Sequence, residues 1–162
     1  MRRYTVLPVI TLAFFVMALA VVGQSPDALL GTWKVNYAKS TYSPPSPEPT
    51  PQSQISAWES SGGGQFKNTI DVVDAKGQQL HLEINLRFDG ADYAVNGAAA
   101  PTTRSYKRID DSDFEFVEKV DGKVTTTSRS VGAPDGKTRT LTVTGTNAQG
   151  QTVKNVVLWE KQ

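Results

Sequence analysis

His81 is the sole histidine of the 162-residue chain, which contains no cysteine. Multi-histidine metal sites, thiolate sites, disulfides and a cysteine nucleophile are therefore excluded. A serine–histidine mechanism would have to run through His81, which falls on the polar side of an alternating run and so should face solvent. No Gly-x-Ser-x-Gly elbow, Ser-x-x-Lys pair or Gly-rich phosphate loop occurs. Asp110, Asp111 and Asp113 lie between two strand-like runs, where aspartate is an ordinary turn former, and no calcium-loop spacing surrounds them. Carboxylates remote in the chain could meet as an acid–base pair, but no spacing points to one. No enzyme and no cofactor are expected. Aromatic and basic residues are more informative. Trp33, Trp58, Tyr93, Tyr106, Phe114, Phe116 and Trp159 are spread over most of the strand-like runs. Arg104 and Tyr106 share one face, and Arg129 lies in a Thr/Ser-rich run. Facing inward, these would offer a cavity polar groups able to hold a carboxylate or other polar head; facing outward, the arginines would snorkel to solvent.

The elements that must position these residues begin after the N-terminus. Arg2 and Arg3 precede an apolar run from Val6 to Val22, and Gln-Ser-Pro-Asp follows in place of a basic flank. That pattern reads as a secretory signal peptide over residues 1–23, with residues 24–162 as one domain exported to the periplasm or outside the cell. The remaining 15 basic and 16 acidic residues nearly cancel, which gives no electrostatic reason to bind nucleic acid. No membrane insertion is expected once the signal is removed, and a monomer is favoured.

Within residues 24–162, short β-rich runs alternate with Gly, Asn and Asp turns such as Asp89-Gly90, Asn96-Gly97, Asp121-Gly122 and Asp135-Gly136. Leu80, Leu82, Ile84, Leu86 and Phe88 alternate with polar residues, predicting a strand over 80–88 with one dry face. Phe66, Ile70 and Val72 repeat the pattern, with Asn68 as an odd polar member; Leu141 and Val143 do so later. Further strands are predicted over 30–37, 53–60, 102–109, 113–120, 123–131 and 151–160, with a short one near Tyr93. Residues 43–51 hold five prolines and read as a loop. The fold class is all-β: an antiparallel up-and-down meander of about 8–10 strands. With no amphipathic helix to cover its dry face, it should close into a barrel.

Gly31-Thr32-Trp33 at the head of the first strand resembles the Gly-x-Trp signature of lipocalins, in which the Trp closes one barrel end. The ending Trp159-Glu160-Lys161-Gln162 is similar to the close of fatty-acid-binding proteins, relatives in the calycin superfamily. Their Arg-x-Tyr carboxylate grip is replaced here by Val157 and Trp159. Gly-Thr-Trp-Lys, Ala-Lys-Ser and the Pro-rich stretch further resemble small secreted lipocalin-like proteins of soil bacteria. The resemblance implies a calycin-like barrel that takes a small apolar molecule, with Gly31 and Trp33 structural. The residue pattern places the cavity wall at Phe66, Ile70, Leu82, Ile84 and Leu86, with Tyr106 or Arg129 near its polar end. Thr, Ser, Gly and Ala at many later strand positions, including Thr125 to Ser130, leave that interior short of bulk. The rival reading is a cell-envelope structural or interaction module whose barrel is filled by its own side chains.

Overall fold

The computed structural model describes residues 27–45, 50–146 and 150–162. The signal-peptide reading over 1–23 lies outside the described residues, as do residues 46–49 of the proline-rich stretch. Alternation and turn chemistry yield ten strands: β1 (Gly31–Thr41), β2 (Ser53–Gly62), β3 (Gln65–Val73), β4 (Gln79–Leu86), β5 (Asp89–Ala94), β6 (Thr102–Arg108), β7 (Phe114–Val120), β8 (Lys123–Gly132), β9 (Thr138–Thr146) and β10 (Thr152–Lys161). All pairings are antiparallel, in the order β4-β3-β2-β1-β10-β9-β8-β7-β6-β5.

Tight turns make chain neighbours sheet neighbours, and the β1–β10 pairing ties the two ends of the chain together. The sheet then curls until β4 meets the chain just beyond β5 at one bridge, Glu83 with Asn96. Two backbone hydrogen bonds make that bridge, Glu83 N–H to Asn96 O at 3.0 Å and Asn96 N–H to Glu83 O at 2.9 Å. The result is a nearly closed barrel.

The alternating strand directions put the β2–β3, β4–β5, β6–β7 and β8–β9 connections at one end, the floor, and the proline-rich connection at the other, the mouth. The turn before β1 folds across the floor. Its Asp27 carboxylate accepts the Leu29 N–H at 2.9 Å, and both Nη atoms of Arg108 donate to its two oxygens at 2.8 Å. Leu29 is thereby fully buried, and Trp33 stands above it at 2% exposure. The Trp33 indole N–H donates to the Leu29 carbonyl at 2.9 Å, the polar partner that a buried indole requires. Gly31 carries φ +114°, and a Cβ there would sit 3.0 Å from Lys161 Cε, so glycine suits the close start of β1 against β10.

The predicted strand over 80–88 needs two corrections. β4 stops at Leu86, and Phe88 sits in the β4–β5 connection. It still turns to the core, with ring centroids 5.2 Å from Phe66 and 5.8 Å from Phe114. Leu80 is 44% exposed at the mouth end of β4. Alternation decides which side a residue points to, but not how far the opposite wall extends over it.

Candidate functional site

Inside the barrel lies a cavity of about 230 Å³. Its position follows from side-chain volume. On β8 the inward residues are Thr126, Ser128 and Ser130, too small to reach the far wall. The space they leave is bounded by Phe116 and Glu118 of β7, Arg104 and Tyr106 of β6, and Leu141 and Val143 of β9. Ser56, Trp58, Asn68 and Ile70 of β2 and β3 close the opposite side. All three tryptophans of the chain, Trp33, Trp58 and Trp159, line it.

The polar groups of this wall differ in how well they are satisfied. Asn68 is buried, but its Nδ2 donates to Ser56 Oγ at 2.8 Å and to the Ala57 carbonyl at 3.0 Å. That accounts for an asparagine on an otherwise dry face. Arg104 pairs with Glu118 at 2.8 Å, and its guanidinium lies 5.0 Å from the centre of the Phe116 ring. Burial pushes the Tyr106 phenol up from its ordinary range.

Arg139 is different. It is only 5% exposed, and its guanidinium stacks 4.4 Å from the centre of Trp33 and 5.4 Å from that of Phe114. Its one hydrogen bond among the described residues is a long contact of 3.5 Å from Nη2 to the Ser112 carbonyl, while Nε and Nη1 have none. Burial, reinforced by the Arg108 charge, brings its pKa down to about 10 against the opposing pull of Asp113 and Asp27. It therefore stays cationic at neutral pH. The buried hydroxyls of Ser128 and Ser130 likewise have no partner among the described residues.

Ile70 and Tyr106 line this cavity, together with Arg104. Four of the expected wall residues do not. Phe66, Leu82, Ile84 and Leu86 pack into or against the hydrophobic core, where Ile84 and Leu86 are almost completely buried. Large apolar side chains fill the space in front of them, so the void forms opposite, against the small hydroxyl residues of β8. Arg129 is also misplaced by the sequence reading. It is one residue out of phase with Ser128 and Ser130, so it points outward, bonding Glu115 at 2.9 Å and approaching Asp113 to 3.8 Å. Arg139 is the residue that sequence reasoning missed. It is two residues before Leu141 and four before Val143 on β9, so the same alternation already put it on the dry face.

The remaining candidates for chemistry are accounted for locally. His81 is exposed, with Nδ1 2.6 Å from Asp71 Oδ1. Asp110 Oδ1 accepts the Ser112 and Asp113 N–H groups, both at 2.8 Å, as a turn former does. No group of three or more metal-ligating side chains occurs among the described residues.

Neither a protein-family model nor a curated protein matches the chain. Among solved structures, a mutant of the fluorescent protein UnaG superposes with a TM-score of 0.55 at 14% identity, covering 83% of this chain and 96% of that one. The siderocalin Ex-FABP, whose structure is described as functioning through dual ligand specificities, covers 83% of this chain and 74% of its own at 11% identity. Its TM-score is 0.36. The UnaG likeness and the strand topology establish the fold as an up-and-down antiparallel barrel like that of UnaG.

Proposed function

We propose that the protein is an exported carrier that captures one small, mainly apolar molecule in the barrel interior. The observation that carries this reading is the cavity of about 230 Å³ between aromatic walls and the Ser/Thr face of β8. Its volume exceeds the roughly 150 Å³ that holds a benzene ring and falls just short of the pockets of about 300 Å³ and more that take drug-sized ligands. Capture is an equilibrium process: the walls replace water around the ligand body, and polar groups orient its head. A ligand burying about 150–250 Å² of apolar surface gains roughly 4–6 kcal/mol at about 25 cal/mol per Å². That gain must also offset the translational and rotational freedom lost on association, so apolar contact alone sets an upper limit on affinity of some tens of micromolar. Export rests on the Arg2-to-Val22 pattern. The rival interaction module needs a filled interior, which the β8 hydroxyl face argues against.

Native mass spectrometry of the purified chain tests for a retained small molecule. In parallel, toluene, cinnamyl alcohol and octanol are titrated against the intrinsic fluorescence of the three lining tryptophans. Saturable one-to-one binding that Ser128→Phe abolishes by filling the void is the expected result. No retained molecule together with no saturable response removes the carrier reading and favours the interaction module.

A further inference from the structure

Resting on the carrier reading, we infer that the captured molecule is a monoanion whose acidic head is seated on Arg139, with the Ser128 and Ser130 hydroxyls beside it. Three observations lead there. The first is the charge of the wall. Its charged side chains are Arg104, Glu118 and Arg139. The first two form an ion pair at 2.8 Å, whereas no carboxylate among the described residues hydrogen-bonds Arg139, which feels only the fields of Asp113 and Asp27.

The second is the condition of that charge. The guanidinium carbon lies over the rings of Trp33 and Phe114, but Nε and Nη1 have no acceptor among the described residues. Asp27 and Asp113 are the acids whose fields reach Arg139, and neither hydrogen-bonds it. Asp27 is taken by both Nη atoms of Arg108, and Asp113 Oδ1 accepts from the Gly132 N–H at 3.0 Å and the Ser112 hydroxyl at 2.9 Å. A buried cation left so is costly unless an anion joins it.

The third is the company it keeps. Ser130 pairs with Leu141 across the β8–β9 ladder, and Gly132 pairs with Arg139. Ser130 is therefore the inward neighbour diagonal to Arg139, with Ser128 one step further towards the mouth. Both hydroxyls are 1% exposed and unpartnered. On this shared cavity wall the idle guanidinium, the diagonal Ser130 hydroxyl and the Ser128 hydroxyl further towards the mouth form a donor set for carboxylate or sulfonate oxygens. The ligand body then runs up past Phe116, Leu141 and Val143, so the acid enters head first.

The test compares 3-phenylpropanoate with 3-phenylpropanamide, its neutral amide of the same shape, by tryptophan fluorescence on the full chain near pH 7. The acid is expected to bind at least about tenfold more tightly than the amide, as charge-assisted hydrogen bonds allow. In Arg139→Gln the preference should vanish while amide binding persists, and Ser128→Ala with Ser130→Ala should reduce it several-fold. Equal binding of acid and amide to the native chain overturns the anion inference and leaves the carrier reading standing. Loss of the preference in Arg104→Gln, with Arg139→Gln unaffected, overturns the placement of the head. Binding of neither compound, nor of the neutral panel, overturns both readings. The native acid-to-amide comparison decides the charge whether or not the variants fold.

Discussion

Trp33→Ala probes the floor on which the cavity rests. The side chain is 2% exposed, stacks against Arg139 on one ring contact and lies 5.1 Å from Lys161 Nζ on another, and bonds the Leu29 carbonyl. A buried tryptophan contributes about 200 Å² of surface, or roughly 5 kcal/mol at 25 cal/mol per Å². Partial collapse of the floor recovers some of that, and large aromatic deletions cost about 3–5 kcal/mol. We expect a loss of about 4 kcal/mol, which for a chain of this length lowers Tm by roughly 15 °C. Trp33→Phe keeps most of the ring and deletes the N–H, leaving the Leu29 carbonyl without its donor, and should cost about 1–3 kcal/mol. Guanidinium chloride unfolding followed by far-ultraviolet circular dichroism measures both. A loss under about 1 kcal/mol for Trp33→Ala would mean that the floor is held without the indole, and the role assigned to the Gly31-Thr32-Trp33 sequence would be wrong.

Burial raises the Asp27 carboxyl, but the Arg108 hydrogen bonds, the Leu29 N–H and the Arg charges outweigh it, so its pKa in the folded protein lies below the ordinary value of 3.8. Its contribution is therefore present above that value and is lost as pH falls through the folded pKa, and Asp27→Asn should flatten the acid limb of a stability profile below about pH 4. An unchanged limb in urea titrations would show that the Asp27–Arg108 latch does not hold the floor. Gly97 carries φ +89°, and a Cβ there would lie 2.1 Å from the His81 carbonyl oxygen. Gly97→Ala should thus break the Glu83–Asn96 bridge at a cost of roughly 1–3 kcal/mol, with faster amide exchange at Asn96 and Glu83. Normal protection at those two amides would refute it. Shortening the proline-rich stretch after Ser43, whose carbonyl accepts the Lys154 N–H at 2.7 Å, should alter ligand on- and off-rates with Tm nearly unchanged; a large fall in Tm would show that the stretch stabilises the barrel.

The sequence by itself determined the strands, their order and the closure of the sheet. Those properties are local: two-residue alternation, Gly and Asp turns, and neighbouring strands too short of helix to be covered any other way. It also determined the inward face of the cleanly alternating strands, as Ile70 and Leu141 show, and the misfit of Asn68 within it, while it left the Arg104–Tyr106 face open and put Arg129 of β8 inside. Where the void would open was not local. Ile84 and Arg139 both point inward, yet one is sealed in the core and the other borders the cavity. The difference is set by what lies across the barrel, so only the tertiary structure, which brings the bulky β3–β4 side of the barrel against the small hydroxyl face of β8, could decide it. The same holds for charge. Arg104, Arg129 and Arg139 are alike as letters. Glu118 neutralises the first and Glu115 the second, while Arg139 alone lies over Trp33 with donors to spare. Pairing is a property of distance, and residues dozens of positions apart acquire their distances only when the barrel closes.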